Sequence, residues 1–319
     1  MKLSDIRKMM QNAPEAAGAM DPQVRSAFLK QLGIDPGKLY QELEMESRYV
    51  DTHQDVSFSN ANVQLHSHAF YEILYCCNTC GAEYLVGTER YRLQRGDVIL
   101  VAPGVSHRPL LPEQMPEPYK RYVVWISNEF MENLFRTFTF MKKDRPAYST
   151  LLRTGGTNWE ALGPLFHGGV WESETRGPGW EAAVVGNTIH LVSLLYRAFM
   201  DHTTAPMQAE KPELLDQVLA YIEKHLAEKI TLEEVSRHFF VSQSTISQKF
   251  REKMGVSFYR CVTQRRLIAA KTLILEGRRL TEVGEQVGFT DYSAFYRAFK
   301  QEYGISPRQF RDLQKAVDE

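Results

Sequence analysis

The sequence of 319 residues predicts an α+β protein: an antiparallel β-barrel with flanking helices, followed by an all-α C-terminal domain. Three observations predict this fold class. Short runs of β-branched and aromatic residues, separated by turn signals, fill residues 56–127. A helical pattern in the C-terminal part occurs twice. A segment of about 18 residues without Gly or Pro lies between the two copies and is typical of one long helix.

Five strands are predicted for the barrel, and residues such as Gly87-Thr88 and Arg95-Gly96-Asp97 provide the turns between them. The strands are Tyr71–Cys77, Glu83–Val86, Arg90–Leu93, Val98–Val101 and Tyr119–Ser127. Short strands at this spacing are typical of a small antiparallel barrel or sandwich. We assign the barrel to residues 51–128.

Helical segments flank the barrel. Residues 1–50 form a helical extension, which is open to three interpretations: a ligand-gating arm, a partner surface, or packing for the barrel. Residues 129–205 carry further helical patterns, the strongest from Trp180 to Met200, and lead into a linker rich in Thr, Pro and Ala. Residues 206–319 form the all-α domain.

The all-α domain contains one pattern twice, at a shift of 49 residues. Each copy has an N-cap residue, outward polar residues, two core anchors and a terminal glycine. Ser242, Ser244, Ile246, Gln248, Phe250, Arg251 and Gly255 correspond to Asp291, Ser293, Phe295, Arg297, Phe299, Lys300 and Gly304. A short amphipathic helix precedes each copy, and Thr231 to Glu234 has the form of a capping box. This is the helix-turn-helix layout, present twice.

On a helical wheel, the aromatic residues of the second copy fall within an arc of about 100°. They are Tyr292, Phe295, Tyr296, Phe299 and Tyr303. Ser293, Arg297 and Lys300 lie on the opposite side. The pattern predicts a short helix with one buried face and one polar, partly basic face.

Spacing and charge favour double-stranded DNA as the partner of these polar faces. A helix from Phe258 to Leu275 would be about 27 Å long, and successive major-groove faces of DNA lie roughly 34 Å apart. The whole chain has a net charge of −1, but Arg237 to Arg311 contains 14 Lys and Arg against 6 Asp and Glu. Phosphate contact requires such a local excess of basic residues.

The segment from Leu280 to Arg311 closely resembles the signature of the AraC/XylS family of bacterial transcription regulators. The matching residues are Val287-Gly288-Phe289, Asp291, Phe295, Arg297, Phe299-Lys300, Gly304, Pro307 and Arg311, with Arg266-Leu267, Ala270 and Leu273-Ile274 in the linker helix. The resemblance covers residues 212–314. Gly284 departs from it, because the family usually has Ala there; the glycine is expected to loosen its helix by about 1 kcal/mol at most.

The resemblance implies that helices 242–254 and 291–303 enter adjacent major grooves. The candidate DNA-binding residues are Gln243, Ser244, Ser247, Gln248, Arg251, Tyr292, Ser293, Tyr296, Arg297 and Lys300. The helical wheel independently places Ser244, Gln248, Ser293 and Arg297 outward. It places Tyr292 and Tyr296 at the edge of the core stripe, where packing is an equal alternative.

The N-terminal part looks like a cupin barrel, the usual sensor domain of this family. His66-Ser67-His68, Glu72, Gly96 and Pro103 to His107 resemble the two cupin motifs, although the second has one residue too many. In metal-binding cupins the residues at His66, His68, Glu72 and His107 would bind a divalent transition metal. Regulators of this family commonly keep such histidines without metal. We therefore expect no metal and no cofactor.

The candidate effector-binding residues are His66, His68, Glu72, His107, Tyr75, Tyr84 and Trp125. The three aromatics could stack on a sugar ring or fill a core. Cys76, Cys77 and Cys80 do not form a spaced disulfide framework. A turn with buried thiols is favoured over a redox or zinc site.

These features predict a cytoplasmic, non-enzymatic transcription regulator, since no signal peptide and no run of 18 apolar residues is present. The resemblance favours an activator, a small-molecule effector in the barrel, and a homodimer paired through helix 180–200. Packing of that helix on its own barrel is the alternative to pairing. The expected partners are promoter DNA and the effector, with RNA polymerase as a further candidate and no membrane. The alternative functions are a metal-dependent cupin enzyme fused to a DNA-binding module, and a binding-only nucleoid protein.

Overall fold

The computed structural model of the protein describes residues 45, 47–59, 65–138, 150–201 and 209–318. The chain forms two compact units, which divide between residues 216 and 217. Leu65 and His66 group with the C-terminal unit. The helices predicted before residue 45 and most of the predicted linker lie outside the described residues.

The N-terminal unit contains two antiparallel sheets. Its strands are β1 (Val50–Ser57), β2 (Tyr71–Cys76), β3 (Glu83–Val86), β4 (Glu89–Arg92), β5 (Asp97–Val101), β6 (His107–Leu110), β7 (Tyr119–Ile126) and β8 (Thr150–Arg153). The larger sheet has the order β1-β7-β2-β5-β8, and the smaller sheet has the order β4-β3-β6. The five predicted strands are confirmed to within one residue at each end.

Three strands, β1, β6 and β8, were not predicted. In β1, the polar residues His53, Asp55 and Ser57 lie opposite inward-facing residues of β7. Because these positions are polar, β1 lacks the alternation of apolar and polar residues that predicts a strand. β6 has only four residues and includes Pro109, which disfavours a strand assignment. β8 lies at the edge of the larger sheet, inside a segment predicted to be helical.

Each strand of the larger sheet has one face toward the helices and one toward the smaller sheet. Ile73 and Tyr75 of β2, with Val124 and Ile126 of β7, join a core with the helices. These helices are α1 (Asn128–Thr137), α2 (Leu162–Thr175) and α3 (Trp180–Met200). The alternate residues of β2 and β7 form the barrel interior, because side chains alternate between the faces of a strand.

Among the described residues, α3 is the one helix long and apolar enough to cross a membrane by length and composition. In the structure its apolar side packs inside the protein, where Val184, Leu191 and Leu195 are buried in the core. The Asn187 amide also donates to the Leu165 carbonyl of α2 at 2.7 Å. One side of α3 therefore packs within the N-terminal unit.

The C-terminal unit is helical. Its elements are α4 (Leu214–Lys224), α5 (Leu232–His238), α6 (Gln243–Lys249), one π-helical segment (Phe250–Met254), α7 (Phe258–Leu275), α8 (Leu280–Gln286), α9 (Tyr292–Tyr303) and α10 (Pro307–Asp318). The predicted linker helix, now α7, is confirmed at both ends. The predicted helix 242–254 is α6 followed by the π-helical segment.

The predicted caps are present. The Thr231 hydroxyl accepts from the Glu234 amide at 3.2 Å, and the Glu234 carboxylate accepts from the Thr231 amide at 3.0 Å. The Asp291 carboxylate accepts from the Ala294 amide at 2.7 Å. Gly304 ends α9 with a φ of 75°. These caps satisfy backbone groups that have no partner within the helix at its ends.

Candidate DNA interface and effector pocket

Helix α6 presents a polar side to solvent. Gln243, Ser244 and Gln248 are exposed, whereas Ile246 and Phe250 are buried in the core. The Gln248 amide donates to Glu252 at 2.7 Å, which orients it along the helix. Of the other candidates, Ser247 is half-buried and Arg251 is exposed.

Helix α9 has the same arrangement with a more basic surface. Ser293, Arg297 and Lys300 are exposed, and Phe295 and Phe299 are fully buried. This agrees with the helical wheel for the centre of each face.

The two tyrosines at the edge of the wheel differ from each other. Tyr292 is 37% exposed and Tyr296 is half-buried, although their ring centroids lie 6.2 Å apart. The Tyr292 ring also contacts the Phe295 ring at 6.1 Å. Tyr292 can therefore pack against the core and still reach a partner.

The linker helix α7 carries polar contacts that the sequence analysis missed. Gln264 and Arg265 are buried in the middle of the helix. The Gln264 amide donates to Glu302 of α9 at 3.3 Å, and Arg260 forms an ion pair with the same carboxylate. Arg265 forms an ion pair with Glu223 of α4. These contacts connect α7 to α9 of the second motif and to α4, which precedes the first motif.

The barrel interior contains a buried polar cluster of His68, Glu72, His107 and Trp125, here called the Glu72 cluster. The Trp125 indole donates to Glu72 Oε1 at 2.9 Å. Nε2 of His107 lies 2.9 Å from Glu72 Oε2, and Nε2 of His68 lies 3.7 Å from the same oxygen. The contact between Glu72 and His107 joins the larger sheet to the smaller one.

Backbone carbonyls fix the orientation of both imidazoles. His107 Nδ1 lies 2.9 Å from the Val105 carbonyl, and His68 Nδ1 lies 2.8 Å from the Phe70 carbonyl. A carbonyl only accepts, so each Nδ1 donates and each Nε2 points toward the carboxylate. The sequence identified the three polar members of the cluster, but not these carbonyl partners.

Burial determines the shift in the pKa of His68, whereas neighbouring charge outweighs burial for Glu72. Burial lowers the pKa of His68, which favours the neutral imidazole. Burial alone would raise the pKa of Glu72, but the charge of His107 and its hydrogen bond hold that pKa well below its usual range. The pocket therefore contains an ionised carboxylate beside a neutral His68.

Other polar groups line the same interior. Arg121 of β7 donates to Asp55 at 2.8 Å and to Ser57 at 3.0 Å, and its guanidinium lies 5.2 Å from the centroid of the Tyr119 ring. Tyr84 is buried and its ring stacks with His107 at 6.3 Å. Only Tyr84 of this set was predicted, because Arg121 and Tyr119 carry no motif.

Tyr75, one of the predicted effector residues, lies apart from this cluster. Tyr75 is on the other face of β2, where its ring packs against Phe166 of α2 at 5.2 Å. Its neighbours place it in the helix-facing core, since β2 side chains alternate between faces. His66 is half-buried and groups with the C-terminal unit.

The cysteines form a buried group without disulfides. Cys76 and Cys80 are buried, Cys77 is half-buried, and all three are free. Burial raises the pKa of Cys77 to about 11 and also raises that of Cys80. The thiolate is the reactive form, so this environment favours inert thiols, as the sequence analysis expected.

Comparison with known families adds two matches. The family description "AraC-like ligand binding domain" matches residues 52–154, and "Helix-turn-helix domain" matches residues 235–312. The first covers the barrel strands and the second covers both repeats.

Individual proteins give similar matches over most of the chain. The uncharacterised HTH-type transcriptional regulator YfiF of Bacillus subtilis is 24% identical over 277 residues, covering 82% of this chain and 86% of the relative. The HTH-type transcriptional activator RhaS of Salmonella arizonae is 26% identical over 258 residues, covering 79% and 88%. The solved C-terminal domain of AraT, a response regulator from Geobacillus stearothermophilus, is 31% identical, covering 32% of this chain and 86% of that chain with a TM-score of 0.31.

Proposed function

The chain belongs to the AraC family of transcriptional regulators, and we propose that it binds promoter DNA under the control of a small molecule held in the barrel. The observation that carries the proposal is the pair of helices α6 and α9. Both bury their apolar side and expose a polar one. Helix α7 contacts α9 through Gln264 and contacts Phe250, at the end of α6, through the ring of Phe258 at 5.5 Å. Two recognition helices on a rigid connector fit two successive major grooves.

The proposed effector is a small polar molecule bound beside the Glu72 cluster. Burying a carboxylate and two imidazoles costs free energy unless polar partners surround them. Tyr119 adds a buried hydroxyl that has no hydrogen-bond partner among the described residues. An incoming ligand could accept from this hydroxyl, and Glu72 could accept from the ligand.

The proposed response follows from differential binding. A ligand that prefers one arrangement of the protein shifts the population toward it. We propose activation rather than repression, a cytoplasmic protein, and a homodimer that pairs through the exposed side of α3. The buried side of α3 already packs within its own subunit, so Gly186, His190 and Arg197 are the candidate contacts for a second copy.

The DNA-binding test starts from selection of sites from random duplexes with the full chain. Footprinting on the selected sequence should protect two segments about one helical turn apart. Protection that is equal on any sequence would instead favour a nucleoid-type protein and contradict a sequence-specific regulator.

A second measurement addresses the enzyme alternative. We propose that the barrel needs no metal, so metal analysis of purified protein should give a near-zero content. Stoichiometric zinc, iron or manganese that is lost in the His66→Gln, His107→Gln variant would contradict this. A thermal-shift screen of small polar molecules on the full chain, followed by footprinting with each hit, should identify the effector.

A further inference from the structure

Phe240 occupies an unusual position in the turn of the first helix-turn-helix motif. Its side chain is 94% exposed, against 61% for Phe58. Its φ is 54°, in the left-handed region. A bulky residue rarely adopts this region, because its Cβ crowds the backbone. The residue therefore combines an exposed aromatic ring with a strained backbone.

The second repeat shows what this position ordinarily requires. The Phe240 amide donates to Arg237 and the Val241 amide to Ser236, and the Gly288 and Phe289 amides donate in the same pattern to Glu285 and Gly284. Both turns thus end a helix with a left-handed residue, where glycine is favoured.

The surroundings of the two positions differ. A Cβ on Gly288 would lie 2.2 Å from the Leu226 carbonyl oxygen, so that turn excludes any side chain. The first repeat leaves space for a ring and carries a phenylalanine instead of the glycine that the turn favours.

Phe240 lies at the end of the motif that faces DNA in the proposed function. Two residues later, Ser242 caps α6 and accepts from the Thr245 amide at 3.1 Å. The adjacent Gln243 and Ser244 are exposed. Recognition helices contact base edges with their N-terminal residues, so a ring just before the cap is placed next to the same groove.

We propose that Phe240 makes an apolar contact with a thymine methyl group at the edge of the site read by α6. Thymine carries the one methyl group in the major groove, and phenylalanine is a residue that contacts it. The surrounding polar residues, Gln243 and Ser244, supply hydrogen bonds but no apolar surface. Phe240 would then give the first motif a base preference that the second, with Gly288, lacks. This inference rests on the proposed DNA-binding function.

The experiment uses the full chain and a site selected from random duplexes. Each thymine of the site is replaced in turn by deoxyuridine, which removes only the methyl group. We expect one replacement to weaken wild-type binding by about 3- to 10-fold, as for the loss of a small apolar contact. Phe240→Gly should weaken binding to the original site by a similar factor. This variant should bind the original site and the site with that one deoxyuridine with the same affinity.

Stability separates this effect from misfolding. Phe240→Gly relieves the left-handed strain and should leave the melting temperature unchanged or raise it by about 2–4 °C. Phe240→Leu keeps an apolar side chain and should retain more affinity for DNA than Phe240→Asn. Asparagine adopts the left-handed backbone conformation readily, but its side chain is polar.

Three results would overturn the inference. Wild-type protein that selects no sequence would overturn it together with the proposed function. If the wild type selects a site and Phe240→Gly binds that site with equal affinity, the inference is wrong but the proposed function stands. Equal DNA affinity with reduced transcription in Phe240→Gly would also overturn it and assign the ring to a protein partner.

Discussion

A Cβ atom at Gly284 would lie 2.8 Å from the Cβ of Phe295, closer than side chains pack. Gly284 is in α8 and Phe295 is in α9, so the two helices of the second motif approach each other at a point where one side chain must be absent. From helix propensity alone, Gly284 is expected to loosen its helix. The structure explains it as a packing requirement of the fully buried Phe295.

We expect Gly284→Ala to destabilise the C-terminal unit. Helix propensity alone would favour alanine by about 1 kcal/mol, but forcing a methyl group against Phe295 typically costs about 1–3 kcal/mol. Denaturant unfolding measures the balance. Gly186→Ala is the matched control, since Gly186 is also helical but has nothing within 4 Å of an added Cβ. Stabilisation in both variants would contradict the packing explanation.

Arg297 is exposed on α9, on the same outward side as Ser293 and Lys300. We expect Arg297→Ala to weaken binding to the selected site by about 1–3 kcal/mol if the guanidinium reads a guanine edge. Lys300→Ala, on the same helix, should weaken specific and random DNA equally, as a phosphate contact does. Titrations at one fixed salt concentration compare the two variants. An equal loss on both DNAs for Arg297→Ala would reassign it to phosphate.

Glu302 is buried and links α7 to α9 through Gln264 and Arg260. We expect Glu302→Ala to destabilise the C-terminal unit by about 1–2 kcal/mol, less than for a fully buried pair because Arg260 is partly exposed. Binding to a site with both half-sites should fall more than binding to either half alone. A double-mutant cycle with Arg260→Ala isolates the ion pair. A coupling near zero would show that the ion pair between Glu302 and Arg260 does not contribute to stability.

Stability should fall with acidity because of the Glu72 cluster. His68 has a folded pKa below its ordinary 6.5, so the unfolded chain takes up a proton first and stability falls as pH drops through 6.5. Glu72 has a folded pKa below its ordinary 4.5, so its contribution is present above 4.5 and is lost at lower pH. Melting temperatures from pH 8 to about 2 measure both windows.

His68→Gln tests the first window, in which Glu72 and His107 face the imidazole. The variant should flatten the decline just below pH 6.5 and keep the decline below pH 4.5. An unchanged slope around pH 6.5 would show that another group takes up the proton.

The sequence predicted best where local signals decide the structure. Ser257 caps α7, and no Gly or Pro interrupts the helix up to Leu275, so both ends were predicted correctly. β1 was missed, because its inward residues are polar and are stabilised by β7 partners such as Arg121, which lies far away in sequence. Tyr75 was assigned to the pocket by residue type, whereas its face of β2 depends on strand register. The periodicity of the sequence does not predict contacts between segments that are far apart in the chain.

The last prediction concerns how the barrel controls DNA binding. The C-terminal unit has its own core around Leu267, Phe295 and Phe299, so residues 206–319 should fold alone and keep their sequence preference. Two linked copies occupy a double site at a higher effective concentration than separate ones. If α3 pairs two subunits, the full chain should therefore bind a double site more tightly than residues 206–319.

The proposed effector would act through residues 1–205, which contain the Glu72 cluster. Full-length protein should change its affinity when the effector is added, whereas residues 206–319 should not respond. Both proteins are titrated onto one promoter fragment at fixed salt, because phosphate contacts make affinity depend on salt. Glu72→Gln in the full chain is the matched variant, which keeps the side chain but removes the carboxylate that the effector would meet. It should bind DNA like the wild type and lose the response. Equal affinity of the full chain and the fragment, with no response to any ligand that shifts the melting temperature, would mean that the barrel does not control this regulator.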